Sequence, residues 1–337
     1  MDLKDPRLTG LAFRVLPVVQ EVARKLGGGT SEAEVVGAVA ERVKVLEAGL
    51  GPEFELISAV NWLGRVLAIS RLDQTPHAAC HPRAPELKIP DLIGVVEVNG
   101  LRFPLLIEVK RSSISELVWS EKYLSGLKAF AGALKIPLLV AWKHHHIWTL
   151  VDVHHFEKKV DAYHLPFAKA MAENLMSSIF GDFIVVLSQR VSFYIDAEVT
   201  DGPEHLPKPP DLLPEATYGI KISGAGFLLE GKPIELSNEL TWAFFCAPDE
   251  NTVNITGDKT IRIVHTPLAD TSFSMTDLVL MVLLWDESDE PDWEAVVRKP
   301  ISLSAAEVSE ELEKGIGLGV VRYIIRQEPH NIPDFLK

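Results

Sequence analysis

Cysteine is scarce, with only Cys80 and Cys246 in 337 residues. Two thiols cannot build a disulfide framework, and no CxxC pair exists to hold zinc or run dithiol chemistry. A reducing, cytoplasmic setting is the expectation. Long apolar runs are also missing. The longest, Leu278 to Trp285, is far too short to cross a bilayer. The opening MDLKDPRLTG lacks the basic-then-apolar pattern of a secretory signal, so no membrane partner is expected. No Walker A loop, Gly-rich dinucleotide fingerprint or GxSxG elbow appears, and there is no internal repeat. A surplus of positive charge is lacking too. The net charge of −14 argues against a protein that coats nucleic acid without selectivity.

What is present is ordinary globular material, 47% hydrophobic and 24% charged, enough for one large domain or two smaller ones. The acidity is concentrated late. Residues 201–337 carry 24 acidic against 11 basic side chains, which leaves the first 200 near neutral. Between Leu101 and His146, seven Lys or Arg face three Glu. The acidic balance therefore says little about what the N-terminal part binds.

The pattern divides the chain into a helical segment 1–50, an α/β domain 51–200 and an acidic, β-rich domain 201–337. Helices are read in 6–48, broken at Gly27-Gly28-Gly29. A helix is expected from Pro52 to Leu72, with Leu56, Ile57, Val60, Leu63 and Leu67 at helical spacing. Residues 73–89, with three prolines, read as a loop. A strand pair follows. Ser112 or Ser113 then caps a helix to Leu134, with Ile114, Leu117, Leu124, Leu127 and Leu134 turned inward. PLLVAW (137–142) reads as a buried strand joined by a hairpin to IWTLVD (147–152). A helix covers 165–179, and 183–199 reads as a further strand pair. Residues 202–215, with five prolines, read as a linker. Beyond it YGIKISG, TWAFFC, IRIVHT and LVLMVLLW read as mostly β, with helix returning at 304–314.

The chemistry sits in KIPDLIGVVEVNGLRFPLLIEVKRS, residues 88–112. Asn99-Gly100 between apolar runs signals a two-residue type I′ turn, because both turn positions need φ > 0. Such a turn fixes the register so that facing residue numbers sum to 199. Glu97 then faces Arg102, and Asp91 faces Glu108 at a non-hydrogen-bonded pair, with Cα atoms about 4.5 Å apart. Facing carboxylates flanked by Leu92, Ile93, Leu106 and Ile107 repel each other. A divalent cation offsets the repulsion, as does a raised pKa on one acid. Lys110, two residues on, shares the face of Glu108. The opposite face, from Leu92 and Val96 to Val98, Leu101, Phe103, Leu105, Ile107 and Val109, reads as core. Pro104 is the position where a bulge would break the register.

At these residues the sequence resembles the PD-(D/E)XK nuclease superfamily. Pro90-Asp91 is similar to its PD, and Glu108-Val109-Lys110 to its ExK. The resemblance covers roughly 50–152. It implies a restriction-endonuclease-like αβββαβ core, a mixed sheet flanked by helices. Its first strand has no firm place in the pattern and falls within 68–90. The resemblance also implies that Asp91, Glu108 and the Val109 carbonyl ligate Mg²⁺, with Mn²⁺ as a substitute. It gives Lys110 the role of positioning or deprotonating the attacking water, and it expects Lys110 to lose its proton readily beside a cation. A further acid from the first helix matches Glu53 best and Glu55 second. Lys122, Tyr123 and Lys128, on the helix after the motif, would contact phosphates. The implied activity is hydrolysis of nucleic-acid phosphodiesters, DNA first, in repair, recombination or defence. The alternative is a catalytically inactive nuclease-like fold serving as an interaction module, with the acidic C-terminal region meeting a protein partner.

Other clusters read more plainly. His144-His145-His146, with His154 and His155, reads as a polar turn rather than zinc ligands. His77, Cys80 and His81 read as loop residues. WDESDEPDWE (285–294) reads as a solvated loop, since it lacks the spacing and glycine of a calcium loop.

Overall fold

A computed structural model describes residues 51–73, 87–201, 219–247, 249–268, 272–284 and 305–337. The helices expected in 6–48, most of the loop 73–89 with His77, Cys80 and His81, the linker 202–215 and the acidic loop 285–294 lie outside the described residues. The chain divides into two compact units, 1–56 and 57–337. In the first, residues 51–56 are helical.

The second unit opens with helical residues 57–63, labelled α1. Ile57, Val60 and Leu63 are buried as their spacing predicts, together with Ala59 and Trp62. The helix stops well before the expected Leu72. Gly64 takes φ +83°, the left-handed conformation that ends helices, and β1 follows at Val66–Arg71. Leu67, placed on the inward helix face by periodicity, is 50% exposed on this strand. The strand that the sequence left without a firm place is therefore β1.

β1 pairs antiparallel with β2, Leu92–Val98, which pairs antiparallel with β3, Leu101–Arg111. Asn99 and Gly100 both have positive φ, as a type I′ turn requires. The register runs unbroken from Val98 opposite Leu101 to Leu92 opposite Ile107, with Pro104 seated opposite Val95 and no bulge. Burial departs from expectation only near the turn. Leu101 is 64% exposed and Val98 half-buried.

After β3 comes β4, Glu116–Ser120, and only then α2, Glu121–Leu134. The helix expected from residue 113 thus begins eight residues later. Ser120 is its N-cap, accepting a hydrogen bond from the Tyr123 amide. Leu124 and Leu127 face inward as expected, whereas Ile114 and Leu134 are exposed and Leu117 is buried from a strand. β5, Leu138–His144, returns parallel to β3, and β6, Ile147–Asp152, closes a sheet of order β1-β2-β3-β5-β6. Leu106, Leu124, Leu127, Val140 and Trp142 share one core, so α2 covers the sheet face that carries the even-numbered residues of β3.

β7, Glu157–Lys159, and β8, Ala162–Pro166, join β4 in a small sheet. The helix expected over 165–179 is three pieces: the end of β8, α3 at Phe167–Ala172, and a π-helical turn at Met176–Phe180. β9, Ile184–Leu187, and β10, Val191–Asp201, are strands as expected but do not pair with each other. β10 joins β11, Gly219–Leu229, β12, Lys232–Ile234, β13, Asp249–Ile255, and β14, Thr260–Pro267, in a sheet of order β12-β11-β10-β14-β13. β9 lies between β15, Ser272–Ser274, and β16, Val321–Ile325. Strands from both sides of residue 200 therefore share sheets.

Two segments of the C-terminal part read as β are helices. TWAFFC lies in α4, Asn238–Cys246, and LVLMVLL in α5, Met275–Leu284, while Trp285 lies outside the described residues. Segments apolar on every side carry no period to separate the two states. α6, Ala305–Leu318, matches the helix expected at 304–314. Among the described residues, no helix is long and apolar enough to cross a membrane.

Candidate active site

The hairpin register brings Asp91 up against Glu108. The ladder ends at Leu92 opposite Ile107, so the next residues on each strand are these two acids. β3 runs on to Arg111 while β2 begins only at Leu92, which leaves the β2-side groups of β3 beyond Ile107 without a strand partner. Asp91 fills part of that gap. Its Oδ2 accepts from the Val109 amide at 2.7 Å, and its own carbonyl accepts from the Leu72 amide at 2.9 Å. The N–H and C=O of one strand residue project to the same edge. The Val109 carbonyl therefore points to the side of β3 where Asp91 sits.

Glu108 is 1% exposed. Its Oε1 accepts from the Lys110 ammonium and from the Tyr123 hydroxyl. Its Oε2 is fully enclosed and receives no hydrogen bond. Lys110 reaches both acids, with Nζ 4.0 Å from Asp91 Oδ2. The two carboxylates and the ammonium thus share one small space, as the turn geometry predicts.

Burial pushes the Glu108 carboxyl up to about 7, against the opposing pull of Lys110 and with help from Asp91. Burial alone would lower Lys110, but the Glu108 and Asp91 carboxylates outweigh it and hold the ammonium above its ordinary range. Two acids within reach decide the direction. Burial, reinforced by the neighbouring Glu108 charge, also raises the Tyr123 phenol.

No family model and no curated protein matches the sequence. Among solved structures, the chain is similar to Hjc, a Holliday junction resolvase from the archaeal hyperthermophile Archaeoglobus fulgidus. Identity is 21% and the TM-score 0.28, covering 36% of this chain and 85% of the resolvase.

The donor set can be tested for a cation without reference to any relative. A buried carboxylate oxygen with no donor is costly, and a hard divalent cation bound by oxygen ligands is what would satisfy it. Glu108 Oε2, the Asp91 carboxylate and the Val109 carbonyl are all oxygens, so the residues fit Mg²⁺ or Mn²⁺ in type. Among the described residues, no group of three or more His, Cys, Asp or Glu side chains is gathered for a metal ion. The protein ligands at this site would be two acids and one carbonyl, with water completing the shell.

Glu53 and Glu55 belong to the first unit, where both are buried. Lys122 is exposed in the first turn of α2. Tyr123 is half-buried and its hydroxyl donates to Glu108 Oε1. Lys128 lies 5.7 Å from the Tyr163 ring and borders a 650 Å³ cavity at the amino end of β5, shared with Lys135, Asp152 and His154. His144 packs on Phe167 at 4.2 Å with Nδ1 against the Ser112 carbonyl, His154 pairs with Asp152, and His155 lies 3.8 Å from Glu173. These pairings agree with structural histidines. The sequence signal for Tyr123 was available in part. Ser120 three residues before it is a cap pattern that places Tyr123 in the first turn of the helix covering Glu108.

Proposed function

We propose that this chain is a divalent-cation-dependent phosphodiesterase with a restriction-endonuclease-like core, hydrolysing nucleic acid and DNA in the first place. The observation that carries the proposal is the bare, buried Oε2 of Glu108, in a carboxylate whose other oxygen is held by Lys110, the lysine that also reaches Asp91. With β4 set aside as part of a separate small sheet, the order α1, β1, β2, β3, α2, β5 supports the same reading, since it agrees with the αβββαβ core that the PD and ExK residues imply. The Lys and Arg surplus over Leu101–His146 agrees with a polyanionic substrate.

Asp91, Glu108 and the Val109 carbonyl would hold Mg²⁺ or Mn²⁺. When bound, such a cation makes hydroxide more available near neutral pH and neutralises charge on the phosphoryl oxygens. The chain's own groups do the rest. The Val109 amide fixes the Asp91 carboxylate. Lys110 would present positive charge beside the acids, where charge grows on a phosphorus centre under attack. Burial of Glu108 keeps bulk water from competing for its oxygens.

The test is cleavage of duplex, single-stranded and branched DNA by the full chain with Mg²⁺ or Mn²⁺. Asp91→Asn, Glu108→Gln and Lys110→Met should each lower the rate by about 100-fold or more. Intact DNA under all these conditions, with no Mn²⁺ binding by calorimetry, would overturn the proposal and favour the interaction module. Undiminished cleavage in the variants would place the chemistry elsewhere.

A further inference from the structure

The Glu108 carboxylate has two oxygens with opposite fates. Oε1 takes the Lys110 ammonium and the Tyr123 hydroxyl, and Oε2 takes nothing. A carboxylate held only by Lys110 could swing, because a lysine is a point charge on a flexible stem and pairs with either oxygen. A second donor from a different direction removes that freedom.

Tyr123 is built to be such a donor. Ser120 caps α2 through the Tyr123 amide, which fixes the backbone. The Trp119 ring meets Tyr123 edge-on at 5.3 Å and 80°. Trp119 in turn stacks on Phe156 at 4.5 Å and 23°. Lys110 Nζ lies 5.7 Å from the Tyr123 ring centre, a cation–π separation. The phenol therefore meets both members of the ion pair from a ring packed against Trp119, which Phe156 backs in turn.

We propose that Tyr123 is the positioning residue of the cation site: its hydroxyl holds Glu108 Oε1, so that Oε2 is the oxygen presented to the metal. Tyr123 needs no contact with substrate for this. The proposal rests on the phosphodiesterase reading above, because Glu108 must be a ligand for its orientation to matter. It also replaces the phosphate-contact role that the sequence assigned to Tyr123.

Tyr123→Phe keeps the ring and its packing and deletes only the hydroxyl. The first measurement is Mn²⁺ binding by calorimetry on the full chain, without DNA, for wild type, Tyr123→Phe and Glu108→Gln. Partners that orient a metal ligand are worth 10–100-fold in affinity. The expected result is a roughly tenfold weaker Mn²⁺ affinity in Tyr123→Phe and none detected in Glu108→Gln. The second measurement is cleavage against Mn²⁺ concentration. Tyr123→Phe should need more metal for half-maximal rate yet approach the wild-type rate at saturation. The third is the tyrosine absorbance change on adding Mn²⁺, present in wild type and lost in Tyr123→Phe. This reading stands apart from activity and persists if the variant is less stable.

Unchanged Mn²⁺ affinity in Tyr123→Phe, with binding still abolished by Glu108→Gln, overturns the positioning role and leaves the enzyme intact. A lower melting temperature with unchanged affinity does the same, because it marks a packing role alone. No Mn²⁺ binding by the wild-type chain sinks both proposals.

Discussion

At the scale of single residues, Glu108 makes stability depend on pH. Its carboxyl is raised to about 7 in the folded chain, against about 4.3 for an unperturbed glutamate. Between those values the folded state holds a proton that the unfolded state has already released. Stability is then greatest below the lower value and falls as pH rises toward 7, by about 4 kcal/mol at most. Above pH 7 the loss is complete and the curve flattens. Thermal melts of the full chain in chelator should show this decline from pH 5 to 8. Glu108→Gln should lessen it, leaving the decline toward pH 6 that buried Asp182, raised to about 6, contributes. Mg²⁺ at pH 8 should restore stability in wild type, because a ligand that binds only the folded state stabilises it, and should do nothing for Glu108→Gln. A wild-type curve that rises from pH 5 to 8 without metal would refute the assignment.

At the scale of elements, α2 fastens the site to the core. It carries Tyr123 at its start and buries Leu124, Leu127 and Ala131 against Leu106, Val140 and Trp142. Leu127→Ala should cost about 2–5 kcal/mol, since a fully buried leucine leaves a cavity behind. Denaturant titration measures it, and a change below about 1 kcal/mol would show that α2 is not packed as described.

The hairpin that bears the acids was legible in the sequence, because a two-residue turn and a period of two together leave one register. The strand and helix limits around it were less so. Val66–Arg71 read as the end of a helix, since Leu67 continues a helical spacing by coincidence while Gly64 is the only stop signal. β4 was hidden because Leu117 suits a buried strand as well as a helix. α5 was missed although Ser274 and Asp277 form reciprocal side-chain-to-amide bonds at its start, a capping pattern readable as Ser-x-x-Asp. The partnership between Tyr123 and Glu108 could not be read from spacing. It depends on how a helix fifteen residues downstream lies across a sheet.

At the scale of the whole molecule, residues before and after 200 are interleaved. β9 has β15 and β16 as its two neighbours, and β10 has β11 and β14. The chain end returns as well: Glu173 accepts from the Asn331 amide and side chain, and Phe335 meets Phe103 at 5.8 Å. A chain cut after residue 200 should therefore lose cooperative unfolding and aggregate, since the short β9 and the long β10 would present bare edges. Calorimetry and light scattering check this. A truncated chain that melts as sharply as the parent would show the late segments to be an independent appendage.

The Asn99-Gly100 bend also acts as a ruler. Asp91 and Glu108 stand seventeen positions apart, an odd interval shared between two antiparallel arms. Adding one residue to each arm keeps the partners matched. Adding one to a single arm slides every later pair by a step and sends half of the side chains to the wrong surface. While the bend keeps its two residues, the separation between the acids can drift only by even numbers, so parity is inherited along with the chemistry.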